Sequence, residues 1–164
     1  MRILTVTVIL RILLIISFAV LAFVNLKNNQ LSDMFLNKEI SFDYYRENRI
    51  NAGFYGLIAI IIGMINSSYT QHLSKKRNNG RIKMREVVIP EMTHEDERES
   101  EITGKSAKAA FSVIVVFTIP LLISFSMIPY AIHSPLNYAI FAIAILPIVG
   151  FITYLITYKV LYSK

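Results

Sequence analysis

The sequence contains neither cysteine nor tryptophan. Without a thiol, the chain has no disulfide, no thiolate ligand for zinc or an iron–sulfur cluster, no thiol nucleophile and no lipid anchor attached through cysteine. Without tryptophan, anchoring at a membrane–water interface falls to the nine tyrosines. These absences exclude several classes of metalloprotein, thiol enzyme and lipoprotein.

Charged residues are nearly absent from four long stretches, residues 3–26, 50–69, 109–132 and 138–160. Hydrophobic residues make up 54% of the chain, and its mean hydropathy is +0.51. A helix of ~20 apolar residues crosses the hydrocarbon core of a bilayer. The pattern therefore predicts an all-α integral membrane protein, with four transmembrane helices arranged as two hairpins and joined by a charged cytoplasmic segment.

This pattern divides the chain into three parts. Residues 1–71 form the first transmembrane hairpin with an outer loop at 27–49, residues 72–108 form the charged segment with a helix from about 94, and residues 109–164 form the second hairpin. A cleaved signal peptide is the alternative for the first run, with Ser17 and Ala19 at the cleavage site. The run continues past that site to Val24, which favours a membrane helix.

The outer loop, 27–49, allows two interpretations. Leu31, Met34 and Phe35 lie at helical spacing, which is typical of a short amphipathic helix at the membrane surface. The alternative is a simple connecting loop. The aromatic residues that follow, Tyr44 and Tyr45 among them, lie where an aromatic belt is expected.

The distribution of basic residues predicts the orientation in the membrane. Of the 17 lysines and arginines, the outer side would hold only Lys27, Lys38, Arg46 and Arg49, which leaves 13 for the side of both termini and the charged segment. Lysine and arginine accumulate on the cytoplasmic side of membrane proteins. We therefore expect a multi-pass protein of the cell membrane with both termini in the cytoplasm.

Small residues recur along the second apolar run at spacings of four, three and four. On a helix they form one smooth stripe, and small residues let helix backbones approach closely in lipid. The pattern predicts a packing face against a helix of the same chain or of a second copy. The alternative is that glycine and alanine are simply common in membrane helices. The residues of this stripe are Ala52, Gly56, Ala59 and Gly63.

Basic residues are concentrated at the start of the charged segment. Lysine and arginine next to a membrane are each attracted to anionic lipid by ~1 kcal/mol, so we expect these residues to anchor the chain at the bilayer surface. Aromatic side chains do not alternate with the charges, so no nucleic-acid partner is expected. Arg11, within the first run, is expected to extend its charge to the headgroups. The predicted lipid-anchoring residues are Arg11, Lys75, Lys76, Arg77, Arg81, Lys83 and Arg85.

After Pro90, the charged segment has the pattern of a helix start. Thr93 with Asp96 resembles a capping box, and acidic residues are favoured in the first turns of a helix. Glu101 and Lys105 have the spacing of a favourable i,i+4 ion pair. We expect this helix to continue without a break into the third span.

Patterns typical of catalysis are weak. No span contains Asp or Glu, which disfavours a cation-coupled transporter. Gly104-Lys105-Ser106 resembles the end of a phosphate-binding loop, but the glycine required five positions earlier is Glu99. The three histidines lack ligand spacing. We therefore expect no enzymatic activity, no cofactor and no metal.

Residues 95–107, EDERESEITGKSA, resemble a known pattern. They are similar to an uncharacterised family of small four-span predicted membrane proteins of Gram-positive bacteria and archaea, with a cytoplasmic Asp-Glu-Arg motif. Asp96-Glu97-Arg98, Ile102 and Lys105-Ser106-Ala107 carry the resemblance, which extends over roughly 94–160. Members are often encoded beside small DNA-binding regulators, which implies a regulatory or stress-related setting.

We therefore expect a non-enzymatic membrane protein that docks a regulator or another membrane subunit through its cytoplasmic segment. The other expected protein partner is a second copy of this chain, which would give a homo-oligomer. The alternatives are a bacteriocin-type immunity or membrane-stress resistance protein acting through the outer loop, and a small transporter or accessory subunit. The hypothetical docking residues are Asp96, Glu97, Arg98 and Lys105.

Overall fold

A computed structural model of the chain describes residues 2–77, 81, 97–127 and 135–163. Within these ranges the chain is all-α and contains no strand. Four helices are long and apolar enough to cross a membrane, so the predicted all-α integral membrane protein with four transmembrane helices is confirmed. The helices are α1 (Arg2–Leu36), α2 (Phe42–Asn48), α3 (Ala52–Arg77), α4 (Glu97–Met127) and α5 (Pro135–Tyr162).

Hydroxyl groups within the apolar helices donate hydrogen bonds to their own helix. Thr7 donates to the carbonyl of Ile3 at 3.0 Å, and Thr118 donates to the carbonyl of Ile114 at 2.8 Å. In lipid no water is present to satisfy a polar group, so bonds to the preceding turn make these side chains tolerable. They explain how apolar spans of this chain carry serine and threonine.

Residues 27–36 form neither a connecting loop nor a separate amphipathic helix, so both interpretations of this stretch are wrong. Leu31, Met34 and Phe35 lie in the last turns of α1. The polar residues at 27–30 do not end the helix because 27–36 contains neither glycine nor proline. At 1.5 Å per residue, the 35 residues of α1 exceed the ~30 Å of a hydrocarbon core.

A turn at Lys38 ends α1. Lys38 has φ 61°, its N–H donates to the carbonyl of Phe35, and the N–H of Glu39 donates to the carbonyl of Met34. This is the Schellman pattern, with a lysine at the left-handed position that glycine usually occupies. Beyond it, the Ser41 hydroxyl accepts a hydrogen bond from the N–H of Tyr44 and caps the seven-residue helix α2.

The long helices pack in the order α3, α1, α5, α4, and α3 and α4 are not a packed pair in the described part of the chain. A Cβ on Gly56 would lie 3.9 Å from Leu21, and one on Gly63 would lie 3.7 Å from Leu14. Seven residues forward along α3 therefore correspond to seven residues back along α1, so the pair is antiparallel.

The other two packed pairs are antiparallel as well. Gly150 approaches Ile114, whereas the hydroxyls of Tyr138 and Ser124 lie 2.7 Å apart near the other end of α4 and α5. Between α1 and α5, the Arg11 guanidinium lies over Phe151, and the rings of Phe23 and Phe141 are 5.5 Å apart. Consequently the start of α1, the end of α3, the start of α4 and the end of α5 share one end of the molecule, which we call the terminal end. The opposite end, at 36–52, is the loop end.

The register brings two buried threonines together. One further step of seven residues places Thr70 of α3 opposite Thr7 of α1, and both are at most 2% exposed. Each hydroxyl donates to its own helix. Many large apolar side chains of the spans are instead exposed, as expected where lipid covers the outer faces.

Candidate functional site

The first three turns of α4, Glu97–Lys108, carry most of the charge of that helix, and we call them the charged turns. They precede the apolar part of α4 without a break, which confirms the predicted continuous helix. At 1.5 Å per residue they extend over about 18 Å. Thr93, His94 and Asp96, which belong to the predicted helix start, lie outside the described residues.

One face of the charged turns is buried. Ile102 is 7% exposed and Ser106 is fully buried, and the Ser106 hydroxyl donates to the carbonyl of Ile102 at 2.8 Å. The register set by Gly150 and Ile114 places Ser106 opposite Tyr158, which is also buried. The charged turns are therefore held against the end of α5.

Three tyrosines form the surface of α5 at this point. The rings of Tyr154 and Tyr158 are 6.1 Å apart, and those of Tyr158 and Tyr162 are 5.9 Å apart and stacked. Ring pairs at these separations attract one another beyond their simple burial. The three rings form a continuous row along the end of α5, and Tyr158 of this row is the one opposite Ser106 of the charged turns.

The other face of the charged turns is exposed and carries both signs of charge. Glu97, Arg98, Glu101 and Lys105 are all exposed. Lys105 Nζ lies 2.7 Å from Glu101 Oε1, which confirms the predicted ion pair. The hydrogen bond and positive charge of Lys105 lower the pKa of the Glu101 carboxyl below its ordinary value of 4.5.

The predicted lipid-anchoring residues are only partly described. Lys75 and Lys76 are exposed on the last turns of α3, Arg77 is the last residue of that helix, and Arg81 is exposed. Lys83 and Arg85 lie outside the described residues. Anchoring to lipid therefore stays a prediction for these residues.

Arg11 has an aromatic neighbour that the sequence pattern does not indicate. Its guanidinium carbon lies 5.6 Å from the centroid of the Phe151 ring, within the range of a cation–π interaction. Arg11 is half-buried, and the contact joins α1 to α5. Anchoring to lipid stays a prediction for this residue.

The small residues of α3 lie near α1. Ala59 is buried, and the positions of Gly56 and Gly63 face leucines of α1 at ordinary contact distance for a methyl group. Ala52 is partly exposed in the first turn. Sequence reasoning missed Gly150, although Ala142 and Gly150 are two small residues eight positions apart on one face of α5, both buried.

No family model matches the chain, and neither a curated protein nor a solved structure matches it. The resemblance at 95–107 therefore stays a prediction. The fold itself defines the class, an all-α membrane protein with four transmembrane helices.

Proposed function

We propose that this chain is a non-enzymatic multi-pass membrane protein that docks a regulator or another membrane subunit on its charged turns. The observation that carries the proposal is the two-sided structure of these turns. Ile102 and Ser106 fix one face against α5, while Glu97, Glu101 and Lys105 remain exposed on the other. A helix held in place in this way loses little conformational freedom when a partner binds.

The Glu101–Lys105 pair on the exposed face contributes little to the stability of the fold. Exposed ion pairs contribute little to stability, and the Glu101–Lys105 pair lies within α4 alone. A pattern of alternating acidic and basic side chains can instead select a partner with the complementary pattern. The surface therefore suits recognition better than structural support.

We infer a cytoplasmic location for the charged turns from the basic residues. Lys27, Lys38, Arg46 and Arg49 lie toward the loop end, and the other 13 of the 17 lysines and arginines belong to the opposite side of the predicted topology. Both chain ends and the charged turns lie at the terminal end of the structure. The excess of basic residues supports placing this end in the cytoplasm.

Site-specific photo-crosslinking in cells tests the docking proposal. A photoreactive amino acid at Glu101 should give a discrete protein adduct, whereas one at Phe111, which is exposed on the apolar part of α4, should not. The matched variant exchanges the pair, Glu101→Lys with Lys105→Glu. It keeps the spacing of the ion pair and the helix, and it reverses the pattern that a partner meets.

A photoreactive amino acid can also be placed at the exposed neighbouring position Glu97. Its adduct should disappear in the exchanged variant, while the helical content measured by circular dichroism stays the same. An adduct at Glu101 no stronger than the one at Phe111 would contradict docking. So would an adduct at Glu97 that survives the exchange unchanged.

A further inference from the structure

A polar cavity of about 350 Å³ lies at the loop end, far from the charged turns. Its volume is near the lower end of the ~300–1,000 Å³ typical of small-molecule sites. The end of α1, the end of α2 and the first turn of α3 contribute its walls. The lining residues are Asn28, Arg46, Arg49, Ile50, Asn51, Ala52 and Gly53.

Side-chain hydrogen bonds fix the backbone of this cavity. The Asn28 side chain donates to the carbonyl of Ile50 at 2.8 Å and accepts from its N–H at 3.0 Å. The Asn51 side chain accepts from the N–H of Phe54 and caps α3. The segment that joins α2 to α3 is thus tied to α1, 22 residues earlier in the chain.

Aromatic stacking positions one of the two arginines. The Arg49 guanidinium carbon lies 5.9 Å from the centroid of the Tyr45 ring, and Tyr45 stacks on Phe35 with the centroids 5.2 Å apart. Phe35 belongs to the last turn of α1. Arg49 therefore lies over a ring of α2 that is itself stacked on α1, and Arg46 lies one turn earlier on α2.

The lining of the cavity is positively charged. Two arginines and no carboxylate line it, and neither arginine forms an ion pair with any residue of the described ranges. The first turn of α3 adds N–H groups and a partial positive charge at the same place. Two arginines beside a helix start therefore favour an anion as the occupant of this cavity.

Exposed apolar side chains lie close in the chain to the residues that line the cavity. Phe54 and Leu57 are exposed on the first turns of α3, directly below the cavity, where the apolar span begins. Phe42 and Tyr44 are exposed on α2 beside it. A bound group with apolar chains can lay them along Phe54 and Leu57 while its anionic part occupies the cavity.

We propose that this cavity binds the phosphate group of an anionic phospholipid. The planar fork of arginine matches phosphate oxygens with two parallel hydrogen bonds, which lysine does not provide. The exposed apolar residues of α3 favour a lipid over a free phosphate. The site is independent of the docking surface at the opposite end of the molecule.

Titration of the purified full chain in zwitterionic detergent tests the proposal. The probes are two short-chain lipids, phosphatidylglycerol and phosphatidylcholine, and two soluble phosphates, glycerol 1-phosphate and inorganic phosphate. The readout is the amide NMR signal of Gly53, which reports on this cavity and not on basic residues at the terminal end. Phosphatidylglycerol should bind about tenfold more tightly than the other probes.

Variants identify the arginines as the cause. Arg46→Gln and Arg49→Gln should each weaken phosphatidylglycerol binding about tenfold, the loss expected for one charge-assisted hydrogen-bonding group. Lys27→Gln removes one charge from the same end of the molecule, outside the cavity, and should change nothing. Arg46→Lys and Arg49→Lys keep the charge and should give intermediate affinity.

The lysine variants also provide the answer if a glutamine variant does not fold. Binding that is unchanged in all four arginine variants would overturn the site. Equal affinity for phosphatidylcholine would overturn the preference for an anion. Glycerol 1-phosphate or inorganic phosphate that binds as tightly as the lipid would overturn a lipid as the occupant.

Discussion

The two transmembrane hairpins differ in the room that lies beside the glycines of their helix interfaces. In the first hairpin, a Cβ added to Gly56 or Gly63 would lie 3.9 or 3.7 Å from a leucine of α1, which is ordinary contact. In the second hairpin, a Cβ added to Gly150 would lie 2.6 Å from Ile114 Cδ1. A methyl group therefore fits into the first interface without displacing a neighbour, whereas in the second the Ile114 side chain has to shift to admit it.

The difference teaches that a stripe of small residues does not by itself locate the tightest contact. The first hairpin has the more regular stripe, Ala52 to Gly63, whereas the second has a single glycine at its closest point. In lipid, packing rather than exclusion of water holds helices together. The closest contact should therefore dominate the response to added volume.

Gly150→Leu should have the largest effect. A Cβ at this position already meets Ile114 Cδ1 at 2.6 Å and Cγ1 at 3.1 Å, so the Ile114 side chain must shift to admit leucine, and the variant should destabilise the protein by about 3 kcal/mol. Unfolding by titration with sodium dodecyl sulfate measures this change. Combining Gly150→Ala with Ile114→Val should recover much of the smaller loss caused by Gly150→Ala alone, because the two side chains share one space. Additive effects would contradict the contact.

Gly63→Leu should have the second largest effect, about 2 kcal/mol, because Leu14 must be displaced. Gly63→Ala sharpens the comparison because its sign should be opposite to that of Gly150→Ala. The methyl group fits beside Leu14, and alanine favours a helix over glycine by about 0.5–1 kcal/mol. The same detergent titration distinguishes the two alanine variants, and equal losses in both would remove the difference between the hairpins.

Lys38→Gly tests the turn that ends α1 in the first hairpin. A residue other than glycine in the left-handed region costs roughly 1–2 kcal/mol, partly offset by the freedom of glycine in the unfolded chain. The variant should be more stable by about 0.5–1 kcal/mol, since the Lys38 side chain is exposed. Lys38→Ala removes the same charge without relieving the strain and should show no gain. Equal stability of both variants would show that the turn does not limit this hairpin.

The sequence predicted the spans because bilayer thickness fixes the length of an apolar helix, and the Glu101–Lys105 pair because its spacing is local. It did not predict the end of α1. Polar residues at 27–30 resemble a loop but do not stop the helix. The turn that does end it places a lysine at φ 61°, so the sequence carries no glycine there to signal it. The cavity at the loop end depends on Asn28 binding Ile50 across 22 residues, which no local pattern reveals.

Lys105→Gln should have the smallest effect and concerns the terminal end of the second hairpin. The hydrogen bond and charge of Lys105 lower the pKa of Glu101, so the variant should return this pKa toward 4.5. A carboxyl with a lowered pKa in the folded state stabilises the fold above its unfolded pKa, and this contribution is lost as the pH falls through the lowered value. The parent should therefore lose the contribution in acid, and the variant has none to lose.

An NMR titration of the Glu101 side-chain carboxyl carbon measures the shift, with Lys108→Gln as the control that removes a neighbouring charge but keeps the pair. Because Glu101 is fully exposed, salt should shrink the difference between parent and variant. Identical titration of Glu101 in the parent and in Lys105→Gln would show that the two side chains do not stay paired on the exposed face.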